Sequence, residues 1–407
     1  MALIGATAKG SYAEERGRRG VRVGIMDTGI DGNHPDLSRN FSAALSRNFV
    51  TDIVAIDGPC EHVGCIDPVN EDDNGHGTHT AGTIAAAING RGVSGIAPNV
   101  TLVNIRAGQD SGFFFLDSTV NALTYAGDAG INVVNMSFYT DPWLYNCTAN
   151  PFDSTEEQLQ QRTIIEATQR ALDYAHNKGV VLVAALGNEQ TDLGNPTTDA
   201  TSPDYPPGTE HPRIVDNTCL DLPVEGHHVI GTSAIGPSKR LSFFSNYGIE
   251  QTDVSAPGGD SRDTATGLVN PANRVLSTTS LEGLIARGFA DANGNILSAR
   301  ALKECKDGVC GYYVYDQGTS MASPHAAGVA ALIVSKYGDE APGGRIVMNP
   351  DRVERILYRT ATKTACPAVN PAVYPDTPSF SPLCVGSTAK NGFYGNGIVN
   401  ALAAVTD

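Results

Sequence analysis

Long apolar runs, clustered positive charge and tryptophan are all scarce in this chain of 407 residues. No segment approaches the roughly 20 consecutive apolar residues that a membrane-spanning helix requires, so a helical span is not expected. Residues 1–10 carry neither a charged n-region nor a long apolar h-region. No signal peptide is therefore visible, and the chain reads as either cytoplasmic or trimmed to a mature form. Lysine and arginine total 28 against 44 aspartates and glutamates, a formal charge of −16. A field of that sign repels phosphate backbones and anionic lipids, so nucleic-acid and membrane partners would need a local basic patch. None occurs, and the mixed run at 14–19 reads as solvated surface. Repeats and low-complexity linkers are also missing. A single Trp beside 44 Gly and 41% hydrophobic residues is the composition of a folded protein rich in turns.

Eight cysteines are present. Cys60 and Cys65, like Cys305 and Cys310, are close pairs in loop-like sequence; Cys366 and Cys384 bracket a proline-rich stretch; Cys147 and Cys219 remain. An even count in such segments suits disulfides in an oxidising compartment and favours a secreted protein. The flanking Pro, Glu and Asp do not resemble a zinc knuckle.

Short apolar runs at 21–26, 101–105, 131–136, 180–185 and 229–231 read as buried parallel strands. Helical patterns at 78–87, 116–129, 155–177, 320–337 and 351–361 lie between and after them. This alternation implies right-handed crossovers and an α/β fold, a mostly parallel central sheet flanked by helices in three layers. Function in such folds gathers at the carboxyl ends of the strands. Stretches near 51–72, 141–154, 189–227, 259–311 and 363–393 lack clear periodicity and hold all eight cysteines and most of the 23 prolines. They read as surface insertions on one catalytic domain spanning 1–407.

Three motifs carry chemistry: Val23-Gly24-Ile25-Met26-Asp27-Thr28-Gly29, Asn74-Gly75-His76-Gly77-Thr78-His79, and Gly318-Thr319-Ser320-Met321-Ala322-Ser323-Pro324. Each has a plain reading alone. Asp-Thr-Gly suits a turn or half of an aspartic dyad; His76 and His79 suggest a metal pair, yet lack the Glu of the metalloprotease helix motif; Gly-Thr-Ser suits an N-cap. Together they supply what acyl transfer needs. That is an alcohol activated by an imidazole, which a buried carboxylate holds in one tautomer. Asp27 at a strand end is rigid, His76 is flanked by glycines, and Ser320 opens a helix whose free N–H groups favour an oxyanion.

With Gly95-Ile96-Ala97-Pro98, Val133-Val134-Asn135-Met136-Ser137, Asp253-Val254-Ser255-Ala256-Pro257-Gly258 and Tyr394-Gly395-Asn396-Gly397-Ile398-Val399-Asn400, the chain resembles the subtilase family of serine peptidases from about residue 20 onward. The resemblance implies a subtilisin-like fold, an Asp27–His76–Ser320 triad and an endopeptidase acting on proteins or peptides. It places Asn188, after 181–187, as the side-chain donor of the oxyanion hole. His79, His325 and Ser323 fall at structural positions, and His227-His228 at a strand flank. The resemblance implies a substrate held as an extended strand between 109–114 and 137–140, with 184–187 lining the primary pocket. Ser137, Phe138, Tyr139, Gly112, Phe114, Ala185 and Gly187 are thus the expected substrate-binding residues. Where the family commonly has Leu-Gly-Gly, this chain has Phe138-Tyr139-Thr140. Those bulky groups either narrow specificity at the pocket rim, act with a pocket reshaped by the 141–154 insertion, or point into the core. Asp36 and Asn89 match ligand positions of a stabilising calcium site, and no cofactor is implied for the chemistry. The family's propeptide is not seen before residue 20, which reads as a mature form, and the expected state is a monomer. Two other readings stay open, an ester or polyester hydrolase of the same fold and a silent peptide-binding relative.

Overall fold

The computed structural model describes residues 1–375 and 377–407. Seven strands form the central sheet: β1 (Arg22–Met26), β2 (Arg47–Asn48), β3 (Thr101–Arg106), β4 (Val133–Met136), β5 (Val181–Ala185), β6 (Val229–Ile235) and β7 (Val254–Pro257). Their order is β2-β3-β1-β4-β5-β6-β7, and every pairing in it is parallel. The register places Met26 beside Met136 and Met136 beside Ala184, so β1, β4 and β5 end level with one another. From β1 the chain runs first to one side, to β2 and β3, and then to the other, to β4. A crevice therefore opens at the carboxyl end of β1, the topological switch point.

Five longer helices cover this sheet: α1 (His76–Ala85), α2 (Leu116–Asp128), α3 (Thr155–Asn177), α4 (Thr319–Tyr337) and α5 (Pro350–Thr360). Each lies within one or two residues of its expected range at either end. Alternate strand residues face opposite layers. Val23, Ile25, Val133, Val181 and Val183 pack with α1, α4 and α5, while Met26, Val134, Met136, Leu182 and Ala184 pack with α2 and α3. Burial on both faces explains why the strands read as unbroken apolar runs. Helix α4 is buried from Met321 to Ser335, and its apolar circumference is that of a helix inside the core. Helix α3 begins on a reciprocal capping box between Ser154 and Glu157.

The segment expected as a surface insertion at 259–311 differs most from its reading. It contributes β8 (Val275–Thr279) and β9 (Ala301–Lys306), which join β10 (Val309–Asp316) in an antiparallel sheet ordered β8-β10-β9. Ser277, Thr278 and Thr279 are buried against α1, with the Ser277 and Thr278 hydroxyls donating to the His79 and Thr78 carbonyls at 2.8 and 2.7 Å. Four disulfides, Cys60–Cys65, Cys147–Cys219, Cys305–Cys310 and Cys366–Cys384, engage all eight cysteines. Among the described residues no helix is long and apolar enough to cross a membrane.

Candidate active site

Asp27 follows β1 directly, is fully buried, and accepts a 2.7 Å hydrogen bond from His76 Nδ1 at the start of α1. Its carboxylate also receives Thr28 N (2.8 Å) and the Thr80 hydroxyl (3.3 Å), so the pair is oriented from both elements. Close approach of α1 to the end of β1 requires Gly77, where a Cβ would run into the Gly29 carbonyl oxygen. Burial pulls the His76 pKa down, but the charge and hydrogen bond of Asp27 outweigh it and hold the imidazole above its ordinary value.

Ser320 sits in the first turn of α4 beside His76, and its hydroxyl donates to the Ser137 carbonyl at 3.3 Å. Asn188 directly follows Leu186 and Gly187, three residues beyond the end of β5 at Ala185. Its Oδ1 accepts from Thr319 N (2.9 Å) and the Thr319 hydroxyl (3.2 Å). That leaves the amide N–H groups of Asn188 as donors next to Ser320. His76, Asn188 and Ser320 line one cavity of about 440 Å³, and the same three residues border a second of about 360 Å³. Ser137, Phe138, Tyr139, Gly112, Phe114, Ala185 and Gly187 all line the first. The structure thus brings together, at the carboxyl ends of β1, β4 and β5, every residue expected for catalysis and substrate binding.

The bulky side chains have definite places. Phe138 stacks on Phe114 with centroids 4.0 Å apart, and the Tyr139 hydroxyl donates to Asp204 at 2.6 Å. Phe113 and Phe115 stack on each other and meet the edge of Tyr205. Phe113, Phe114, Phe138 and Tyr139 therefore wall the cleft, and Phe114 also belongs to the core behind it, against which Phe138 and Tyr139 pack. His79, held by the Val275 and Val314 carbonyls, and His325, bonded to the Met321 carbonyl, are driven by burial to about 4 and about 3, so both stay neutral. Ser323 hydrogen-bonds Ser137 at 2.8 Å behind the cleft.

Two features escaped the sequence reading. Asp72, buried, accepts from the Thr28 hydroxyl, Gly75 N, Thr78 N and the Thr78 hydroxyl at 2.6–2.9 Å, tying the turn that presents His76 to the end of β1. Asp141, Glu189, Asp204 and Asp221 also line the cavity. Asp72 stands two residues ahead of the motif that holds His76 and takes three of its four donors from it, while Asp141, Asp204 and Asp221 stand outside every motif.

The expected cation position at Asp36 and Asn89 does not fit a metal. Asp36 accepts from Asn89 Nδ2 (2.9 Å), Val93 N (3.0 Å) and the Tyr313 hydroxyl (3.1 Å), and Asn89 Oδ1 accepts from Arg91 N. Donors occupy the places a cation would take. The acidic groups Asp67, Asp73 and Asp110, and Asp52, Glu61 and Asp110, gather around the fully buried Arg106, whose guanidinium pairs with Asp67 and Asp110.

Comparison with known proteins agrees with this architecture. A family model described as the subtilase family matches residues 18–397. Subtilisin DY of Bacillus licheniformis is 30% identical over 331 residues, 81% of this chain and 82% of that protein. The thermophilic serine proteinase of Bacillus sp. (strain AK1) is 30% identical over 322 residues, 79% of this chain but only 54% of that protein. A solved lanthipeptide protease superposes with a TM-score of 0.63 at 25% identity, covering 97% of this chain and 90% of that one.

Proposed function

This chain belongs to the subtilase family and is a subtilisin-like serine protease, and on that premise we propose that it is a secreted endopeptidase working through a Ser320 acyl-enzyme. The observation that carries the reading is the 2.7 Å Asp27–His76 contact set beside Ser320 in a cleft bordered by Asn188. His76 Nε2 takes the Ser320 proton as the hydroxyl oxygen attacks the scissile carbonyl carbon. Negative charge on the carbonyl oxygen is met by Asn188 Nδ2 and the Ser320 N–H at the start of α4. His76 then protonates the leaving amine, and water, activated by the same imidazole, hydrolyses the ester. In the ground state the Ser320 hydroxyl points to Ser137, so a rotation about χ1 brings it to His76.

The substrate is a polypeptide laid along the cleft, a single catalytic domain carries the reaction, and the chemistry draws on no cofactor. Four disulfides support an oxidising, extracellular setting. A fluorophosphonate probe is expected to label the wild-type protein and not Ser320→Ala, and cleavage of a diverse peptide library is expected to vanish in that variant. Ester turnover without cleavage of any peptide would move the reading to an ester hydrolase. Peptide cleavage surviving Ser320→Ala would overturn the mechanism.

A further inference from the structure

The wall of the cavity beside Ser320 is acidic. Four carboxylates line it, those of Asp141, Glu189, Asp204 and Asp221, and no lysine or arginine does so among the described residues. Three of the four are occupied by the protein. Asp141 accepts from Phe114 N, Asp204 from the Tyr139 hydroxyl, and Glu189 from Asn246 Nδ2 (2.6 Å) and Asn188 N (2.8 Å).

Asp221 is different. It is only 3% exposed, yet its carboxylate has no hydrogen-bond donor and no ion-pair partner among the described residues. Its backbone is clamped instead. Leu220 exchanges two 2.8 Å hydrogen bonds with Asn146, Leu222 O accepts from Thr140 N at 2.7 Å, and Asp221 N donates to Glu225 at 2.7 Å. Burial first, and then the charges of Glu189, Glu225 and Asp199, push its pKa well above the usual carboxylate range. A buried carboxylate without a partner is strongly unfavourable, so the group holds a proton until a cation joins it. The clamp holds the group in place nonetheless, within the cavity that adjoins Ser320.

We propose that Asp221 is the specificity residue of the primary pocket and that the substrates are polypeptides with arginine or lysine immediately before the scissile bond. The inference rests on the peptidase reading of the Ser320 site. A guanidinium or ammonium entering past Phe138 and Tyr139 supplies the charge that Asp221 lacks, and the fork of arginine suits a carboxylate better than the point charge of lysine. The wall offers no lysine or arginine among the described residues to pair with an anionic side chain.

The test compares peptides that differ only at that residue, Arg, Lys, citrulline, norleucine and Glu, with the wild-type protein and Asp221→Asn. In the wild type, kcat/KM is expected to be highest for Arg and at least about a hundredfold lower for the uncharged isostere citrulline. Asp221→Asn is expected to lose at least about a hundredfold on Arg and Lys while norleucine changes little. Benzamidine, a small amidinium, is expected to inhibit the wild type competitively and the variant at least tenfold more weakly, on the order of the loss of one charge-assisted pair. A wild-type preference for norleucine, or an equal loss on all peptides in Asp221→Asn, overturns the proposal and leaves the Ser320 mechanism standing. A wild type that cleaves none of these peptides yet is labelled by the fluorophosphonate overturns the peptidase reading instead. Should Asp221→Asn not fold, the wild-type preference and its inhibition by benzamidine decide alone.

Discussion

Asn188 is gripped by its acceptor end, since Thr319 donates twice to Oδ1, and its donor end is left for a developing oxyanion. Asn188→Ala is therefore expected to lower kcat by about 10²–10³ with KM nearly unchanged, a magnitude known from the equivalent change in subtilisin. Steady-state kinetics on one peptide checks it. The imidazole of His76 makes a second prediction. It must be neutral to accept the Ser320 proton, and its pKa lies above the ordinary value because Asp27 overcomes the effect of burial. The acid limb of kcat/KM is then expected above pH ~6.5, the unperturbed imidazole value. In Asp27→Asn burial acts without the opposing carboxylate, so the limb should move to lower pH while kcat falls about 10⁴-fold. A limb that stays in place in that variant would assign the titration to another group.

Among the elements, the turn that leads into α1 and is tied to the end of β1 depends on Asp72 more than its sequence suggests. Four donors from three residues converge on one buried carboxylate. Removing it in Asp72→Ala leaves those donors unsatisfied, and a loss of about 3 kcal/mol is expected by urea unfolding. A drop of about tenfold to a hundredfold in kcat should accompany it, because His76 loses its fixed position. The long helices were legible from their periodicity and five of the seven central strands from their unbroken apolar runs, whereas β2 and β7 were not read as strands. Residues 155–177 even carry the capping residues Ser154 and Glu157. The sheet of β8, β9 and β10 was not legible. β8 buries Ser277, Thr278 and Thr279, of which Ser277 and Thr278 satisfy α1 carbonyls instead of adding apolar contacts, and β9 exposes all but Ala301 and Glu304. The same limit applied to the site. Asp27, His76, Ser320 and Asn188 stand inside contiguous motifs, whereas Asp221 and Asp141 become neighbours of the cleft only when the 141–154 and 189–227 stretches fold against each other.

For the whole molecule, those stretches are structural members. Arg213, 2% exposed, pairs with Asp153 (2.8 Å) and Asp199 (2.9 Å), donates to the Tyr145 carbonyl, and lies over the ring of Trp143 at 4.6 Å. Arg213→Ala leaves two buried carboxylates uncompensated, so thermal or urea unfolding should show a loss of about 3–5 kcal/mol. Cys147–Cys219 closes a loop with a sequence separation of 72 between the same two stretches. Replacing both by serine is expected to lower stability by about 4 kcal/mol, read from the denaturation midpoint. The clamped backbone around Asp221, beside this disulfide, has a kinetic consequence. Its ordering entropy is spent during folding, so no loop has to close over an incoming side chain. Right and wrong residues then enter at similar rates, and the enzyme discriminates by how quickly the wrong one leaves.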